Sequence, residues 1–444
     1  MRSPAGRGLV VLIAALCCGL AFAPAHAADG SLVVAALHVL DQNYVEPVDD
    51  VGLLNAAIGA LRTAAALGAE GLPDIPAGAV AASASRMFLD DFDRAAQSAT
   101  GSATDLAYAA TNAMLASLHD SHVNFYRPAE FTEFQRSLAG QASYAGIGVF
   151  VKSIEAADGT NVAFVSAAFP GGPAARAGLQ RFDRILRVDG KDVSGMKAGD
   201  LVPLLRGSAH STVVLAVKRR ERTFNVSIVR EAIQIPPVEA RFIRPGVAYV
   251  RLFGFSRGAG RQTRAALGSL ASRGSVSSVI LDLRSNGGGL IEEGSEVAGA
   301  FLPPATLLGH TLERARPPAV LRSTGTPVAS ARTRLIVLID DGTASTAELV
   351  TAGLHDAHRA TLIGEKTAGA LGVALRYPLP EGGIEVTVSK VTGPLYEQIE
   401  GVGITPDVRV DLSVDEVTRG EDVQLEAALR NLGLGGLVRL VWAA

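Results

Sequence analysis

The stretch Leu335-Ile336-Val337-Leu338-Ile339-Asp340-Asp341-Gly342-Thr343-Ala344-Ser345-Thr346-Ala347-Glu348-Leu349-Val350 reads as a buried strand, a tight turn and a helix, with Ser345 at the junction. A short apolar run closed by an acid-glycine turn suits a strand covered on both faces. A serine at that junction stands at the mouth of a sheet. Its hydroxyl faces solvent and neighbouring amides can point at an anion, which is the setting of a nucleophile. The same residue type is also an ordinary helix N-cap, so the rest of the chain must separate the two readings.

Upstream, Val279 to Leu283 is a second apolar strand, and Asp282-Leu283-Arg284-Ser285-Asn286-Gly287-Gly288-Gly289 runs off its end. Three glycines there expose successive backbone amides that could cradle an oxyanion. A phosphate loop would continue into Gly-Lys-Ser/Thr, which is absent. The serine turn is not a G-x-S-x-G elbow. From about residue 233 strands alternate with helices: Val247–Leu252, Arg261–Ser272, Val279–Leu283, Glu292–Phe301, Leu335–Ile339, Thr346–Asp356 and Ala360–Ile363. Such alternation implies a largely parallel or mixed sheet covered by helices.

Before it lies a β-rich unit with strands at Ile147–Val151, Asn161–Val165, Ile185–Lys191, Thr212–Val217 and Thr223–Val229, and a turn into a short helix at Gly171–Leu179. Its length suits a small independent module. Residues 30–135 are mainly helical: Leu32–Leu40, Val51–Leu67 and Ala107–Leu118 carry apolar residues at helical spacing, and a Gly/Pro-bearing stretch near Gly68–Ala77 reads as a loop.

The 444 residues allow two or three domains, and a net charge of −3 without a basic run argues against a nucleic-acid partner. Arg2 and Arg7, the apolar run Gly8–Ala23 and then Ala25-His26-Ala27 form the pattern of a secretory signal peptide cut after Ala27. The run is short for a membrane anchor, which needs about 20 apolar residues. Both cysteines, Cys17 and Cys18, lie in this leader, and neither is preceded by the small residues of a lipidation site. The mature chain therefore has no disulfide, thiol nucleophile or thiolate metal site. With no other apolar run long enough to span a bilayer, a soluble exported protein is expected, periplasmic or otherwise outside the cytoplasm.

In order along the chain, these motifs resemble the C-terminal processing (tail-specific) proteases of the S41 serine peptidase family. Val39 to Asp49, with Tyr44-Val45, matches the opening helix and turn; Leu118-His119-Asp120-Ser121-His122 and Pro128-Ala129-Glu130-Phe131 match the lead into a PDZ domain. Tyr144-Ala145-Gly146-Ile147-Gly148-Val149 matches the PDZ peptide-carboxylate loop, Asp282–Gly289 the oxyanion loop, Gly342–Glu348 the nucleophile turn, and Gly403-Ile404-Thr405-Pro406-Asp407 the C-terminal signature. The resemblance implies an α/β multidomain protein: signal peptide 1–27, helical domain 28–135, PDZ domain 136–232, and a ClpP/crotonase-like protease core 233–444 of mixed sheet and covering helices. It implies Ser345 as nucleophile, Gly288 and Thr346 as oxyanion donors, and Gly146, Ile147, Gly148 and Val149 as the peptide-binding loop, with no cofactor and no metal.

One departure is chemical. The family's general-base lysine and its supporting glutamine fall at Ala370 and Ala374 here; Lys366 occupies a variable position four residues before Ala370. Another branch of the family resembles the tricorn-type proteases, in which a histidine takes the serine proton with a glutamate behind it and a second serine beside it. His122, Glu400 and Ser121 can supply those parts. A structural role for His122 and Glu400 is the competing reading. The i,i+3 pairs His119/His122 and His355/His358 lack an H-E-x-x-H frame, and Arg284 suits bracing the strand end. The expected function is an exported endopeptidase acting on proteins or peptides with exposed C-termini. The alternative is a protease-like scaffold that has lost its base and binds exported proteins through the PDZ module.

Overall fold

The computed structural model describes residues 29–68, 70–120, 122–138, 144–314 and 316–435. The expected leader and Ser121 lie outside them. Four helices, Gly30–Asn43, Asp50–Ala65, Ala81–Ser98 and Ala103–Ala116, open the described chain. Asp29 caps the first by accepting from Ser31 N–H, and that helix buries Leu32, Val33, Ala36, Leu37 and Leu40, one face at helical spacing. The third helix, not singled out by apolar spacing, is half polar and buries only Ala84, Phe88, Asp91, Phe92 and Ala95.

The β-rich unit is an antiparallel sheet ordered Val149–Glu155, Asn161–Ala168, Arg184–Val188, Thr212–Arg219, Arg222–Val229, with Lys191–Asp192 paired at its side. A second short helix, Ala198–Leu205, packs beside the edge strand, its Ala198 N–H donating to Ser153 Oγ at 3.1 Å. Sequence spacing did not suggest it because Pro203 lies inside it.

The C-terminal part centres on a six-stranded sheet ordered Val238–Arg244, Val247–Leu252, Ser278–Asp282, Arg334–Ile339, Thr361–Gly364, Val408–Arg409. The first pair is antiparallel and the remaining pairs are parallel. Val247–Leu252 and Ser278–Asp282 are buried at every position, as parallel strands covered on both faces require. One face, with Val250, Leu281 and Val337, packs on the helices Ala259–Arg273 and Thr346–Asp356; the other, with Tyr249, Ile280 and Leu338, packs on helix Val423–Asn431.

A second, antiparallel sheet was not foreseen as a unit. Gly383–Thr392 is its central strand and pairs with Gly372–Pro378, with Asn124–Tyr126 from the helical region, and with Leu307–Glu313. Leu379, Ile384 and Val386 from this hairpin sit in the same apolar cluster as the N-terminal helices. The hairpin therefore ties the helical region to the core.

Candidate active site

Asp282 and Ile339 end neighbouring parallel strands, so the glycine loop and the serine turn emerge side by side at the carboxyl edge of the sheet, where open α/β folds bind ligands. Ser345 stands at the N-terminus of helix Thr346–Asp356 with φ 55° and ψ −125°. That conformation is strained for a residue with a Cβ, and the surroundings hold it. Ser345 N–H donates to Ala370 O at 2.8 Å and to Glu348 Oε2 at 3.1 Å, so this amide is already engaged. Ser345 itself is partly exposed.

Gly288 touches the serine. A Cβ there would lie 2.7 Å from Ser345 Cβ and 2.9 Å from Thr346 N, and its φ of 92° also favours glycine. Thr346 N–H has no acceptor among the described residues, as expected for the first helical position. Gly288 N–H instead donates to Asn286 Oδ1 at 2.9 Å. Asn286, wholly buried, shapes the loop further: Nδ2 donates to Leu252 O at 3.0 Å and its carbonyl accepts from Ala344 N–H at 3.0 Å.

His122 and Glu400 meet. His122 Nε2 lies 3.7 Å from Glu400 Oε2, an ion-pair separation too long for a hydrogen bond. The Glu400 carboxylate raises the imidazole pKa above its ordinary 6.5; burial opposes this, and the charges of Asp120 and Glu385 add to the rise. The histidine is held at its backbone, where its N–H donates to Asp120 Oδ1 at 2.9 Å while Tyr44 Oη donates to Asp120 Oδ2 at 3.1 Å.

One short segment joins these parts. Ala370 O takes the Ser345 amide, Leu371 N–H donates to Glu400 Oε2 at 2.5 Å, and the His122 ring lies against Gly372, where a Cβ would meet His122 Cδ2 at 3.1 Å. Ser345, Glu400 and His122 thus converge on residues 370–372, although no hydrogen bond joins His122 to Ser345 among the described residues. Lys366 is exposed, away from this contact set.

The remaining expected sites fall elsewhere. Tyr144–Gly146 pairs with Glu231–Ile233, and the carbonyls of Ile147 and Gly148 tie back to Ala174 N at 2.8 Å and Phe169 N at 2.9 Å. Among the described residues the Ile147 and Gly148 amides have no backbone acceptor, and Val149 begins the edge strand. Arg284 is 1% exposed and pairs with Asp282 at 2.6 Å and Asp422 at 2.7 Å, a brace within the core. His355 bridges Asp356 and Asp407, His358 is exposed, and His119 is exposed.

Four residues were not read from the sequence. Glu348 looked like one more helix residue, although Ser-x-x-Glu ahead of an apolar run is a capping-box signal. Asn286 was visible only as part of the glycine loop. Asp340 and Lys152 carried no local signal: Asp340 accepts from Ser285 N at 2.7 Å and Gly342 N at 3.0 Å, joining both loops, and Lys152 reaches it from the β-rich unit at 2.9 Å.

Fold and site together define a serine-type peptidase carrying a PDZ module. The chain belongs to peptidase family S41: residues 246–410 match that family and residues 164–219 match the PDZ domain. It is 34% identical over 340 residues to the carboxyl-terminal-processing protease of Synechocystis sp., covering 74% of this chain and 77% of that protein. The carboxy-terminal-processing protease of Bartonella bacilliformis is 31% identical over 328 residues, covering 72% and 73%. Among solved structures, the photosystem II D1 C-terminal processing protease superposes with a TM-score of 0.55 at 26% identity, over 89% of this chain and 98% of that one. An S41 protease structure from Bacteroides fragilis has the same fold, with a TM-score of 0.56 at 16% identity.

Proposed function

We propose that the protein is an exported endopeptidase that captures substrate C-termini in its PDZ module and cleaves peptide bonds with Ser345, using His122 as the base and Glu400 behind it. The convergence of Ser345, Glu400 and His122 on residues 370–372 carries this reading. Apo sites are commonly looser than the reacting complex, and substrate binding draws the two side chains together.

The Ser345 Oγ–H bond breaks as Oγ bonds to the scissile carbonyl carbon, and the proton passes to His122. The carbonyl oxygen becomes an anion facing Thr346 N–H and the glycine loop, where Gly288 N–H is shared with Asn286 Oδ1. The imidazolium then protonates the leaving amine, and water releases the acyl group from Ser345 by the same route. Upstream, the Ile147 and Gly148 amides take the substrate's terminal carboxylate, and the chain behind it adds along the edge strand Val149–Glu155. Ser121 beside His122 supplies a second hydroxyl in this reading. Residues 1–27 direct export, and the family resemblance supports a periplasmic setting.

A fluorophosphonate probe tests the nucleophile. Labelling of Ser345 in the mature protein and its loss in Ser345→Ala is the expected result; no labelling of intact protein under any condition sinks the reading. Unchanged cleavage in His122→Ala removes the histidine from the mechanism.

A further inference from the structure

Glu348 is fully buried, and among the described residues no cation pairs with it. A carboxylate in that position is costly unless its oxygens are saturated with donors. Here they are. Oε1 accepts from Thr367 Oγ1 at 2.6 Å and Gly369 N–H at 2.8 Å; Oε2 accepts from Ala370 N–H at 2.9 Å and Ser345 N–H at 3.1 Å.

The donors belong to two separate pieces of the site. Ser345 N–H is the amide of the strained turn that aims the nucleophile. Gly369 and Ala370 lead directly into Leu371, whose amide holds Glu400, and Gly372, on which His122 rests. Apart from Glu348, backbone bonds from Ser345 N–H to Ala370 O at 2.8 Å and from Ala368 N–H to Thr343 O at 3.0 Å link the two pieces, but the Gly369 and Ala370 amides have no other acceptor among the described residues.

We propose that Glu348 is a positioning residue: its carboxylate clamps the Ser345 turn to residues 367–370 and so sets the nucleophile against the His122–Glu400 pair. This rests on the reading of Ser345 as nucleophile. It differs from a helix cap in a way chemistry can separate. A capping box needs one acceptor from its third residue, and glutamine fills that role as well as glutamate. The clamp needs each of two oxygens to accept two hydrogen bonds. Glutamine replaces one oxygen with an amide nitrogen, which would face two N–H or O–H donors with donors of its own.

The test compares full-length mature wild type with Glu348→Gln and Ser345→Ala, reading kcat and KM on a peptide with a free C-terminus and the rate of Ser345 phosphonylation. In Glu348→Gln kcat and the phosphonylation rate fall at least about tenfold while KM moves less than about threefold, as loss of charge-assisted bonds at the reacting centre but not at the capture site predicts. A smaller fall in kcat overturns the clamp, because a cap would then suffice. Amide exchange on the wild type decides the matter even where the variant fails to fold. Gly369 and Ala370 amides are expected to exchange at least about 100-fold more slowly than an unstructured chain, and exchange at the unstructured rate overturns the proposal. Cleavage retained by Ser345→Ala would instead defeat the nucleophile reading, so the two failures are distinguishable.

Discussion

An imidazole can act as a base only while it is neutral, above its own pKa, and Glu400 raises that of His122. As base, His122 must be unprotonated, so kcat/KM should climb with pH through a value above 6.5. Removing the charge in Glu400→Gln lowers the imidazole pKa and moves that limb to lower pH. The same change should reduce kcat by about 10–100-fold, since the carboxylate also steadies the imidazolium. A pH–rate profile on both proteins checks this; a limb that stays put in Glu400→Gln separates Glu400 from the base. At this scale Ser345 and the glycine loop were legible because strand, turn and glycines are adjacent in sequence. The proposed base was harder to read. His122 and Glu400 are 278 positions apart, and only folding brings them to 3.7 Å.

The hairpin Gly372–Pro378 and Gly383–Thr392 is the element that assembles the site. It begins under His122, and its far strand sends Ile384 and Val386 into the apolar cluster of the N-terminal helices. That strand also pairs with Asn124–Tyr126, two residues beyond the histidine. Ile384→Ala should therefore cost about 2–5 kcal/mol of stability, measured by denaturant unfolding. It should also lower kcat more than KM, because the seat of His122 loosens. Unaltered kcat in a destabilised but folded variant would argue that the hairpin does not set the histidine. Alternating apolar residues at Ile384, Val386 and Val388 mark a strand by period, but period two names no partner, and this strand pairs with distant chain, Tyr126 opposite Gly383 and Asn124 opposite Glu385.

Across the whole molecule, the PDZ module is fastened to the core beside the site. Lys152, on the edge strand Val149–Glu155, pairs with Asp340 at 2.9 Å, with Glu365 at 3.4 Å and with Asp341. Burial alone would raise the Asp340 carboxyl, but Lys152 and the Ser285 amide outweigh it and hold it below the usual range. A carboxyl with a depressed folded pKa stabilises above its unfolded value, and the contribution is lost as pH falls through the folded value. Lys152→Met should thus destabilise by about 3 kcal/mol near pH 7, since it leaves three carboxylates together without their cation. The deficit should shrink as pH falls below the ordinary carboxyl range and Asp340 takes up its proton. Thermal unfolding of both proteins across that range checks it, and equal melting at pH 7 would count against the tether. Phe253 of the core also packs on Phe169 and Phe150 of the module, with ring centroids at 5.5 and 6.2 Å.

Local sequence determined the buried strands, the serine junction and the glycine turns, because burial on both faces demands continuous apolar runs and sharp turns demand glycine. It also determined that alanine stands at position 370, where the resemblance to the family places its lysine. Tertiary structure decided which polar side chains meet. Glu348 closes on residues 367–370, Asp340 on Ser285 and Lys152, and Glu400 on His122. None of these pairings has a sequence period, because a buried charge is satisfied by whatever donor the fold delivers and not by its neighbours along the chain.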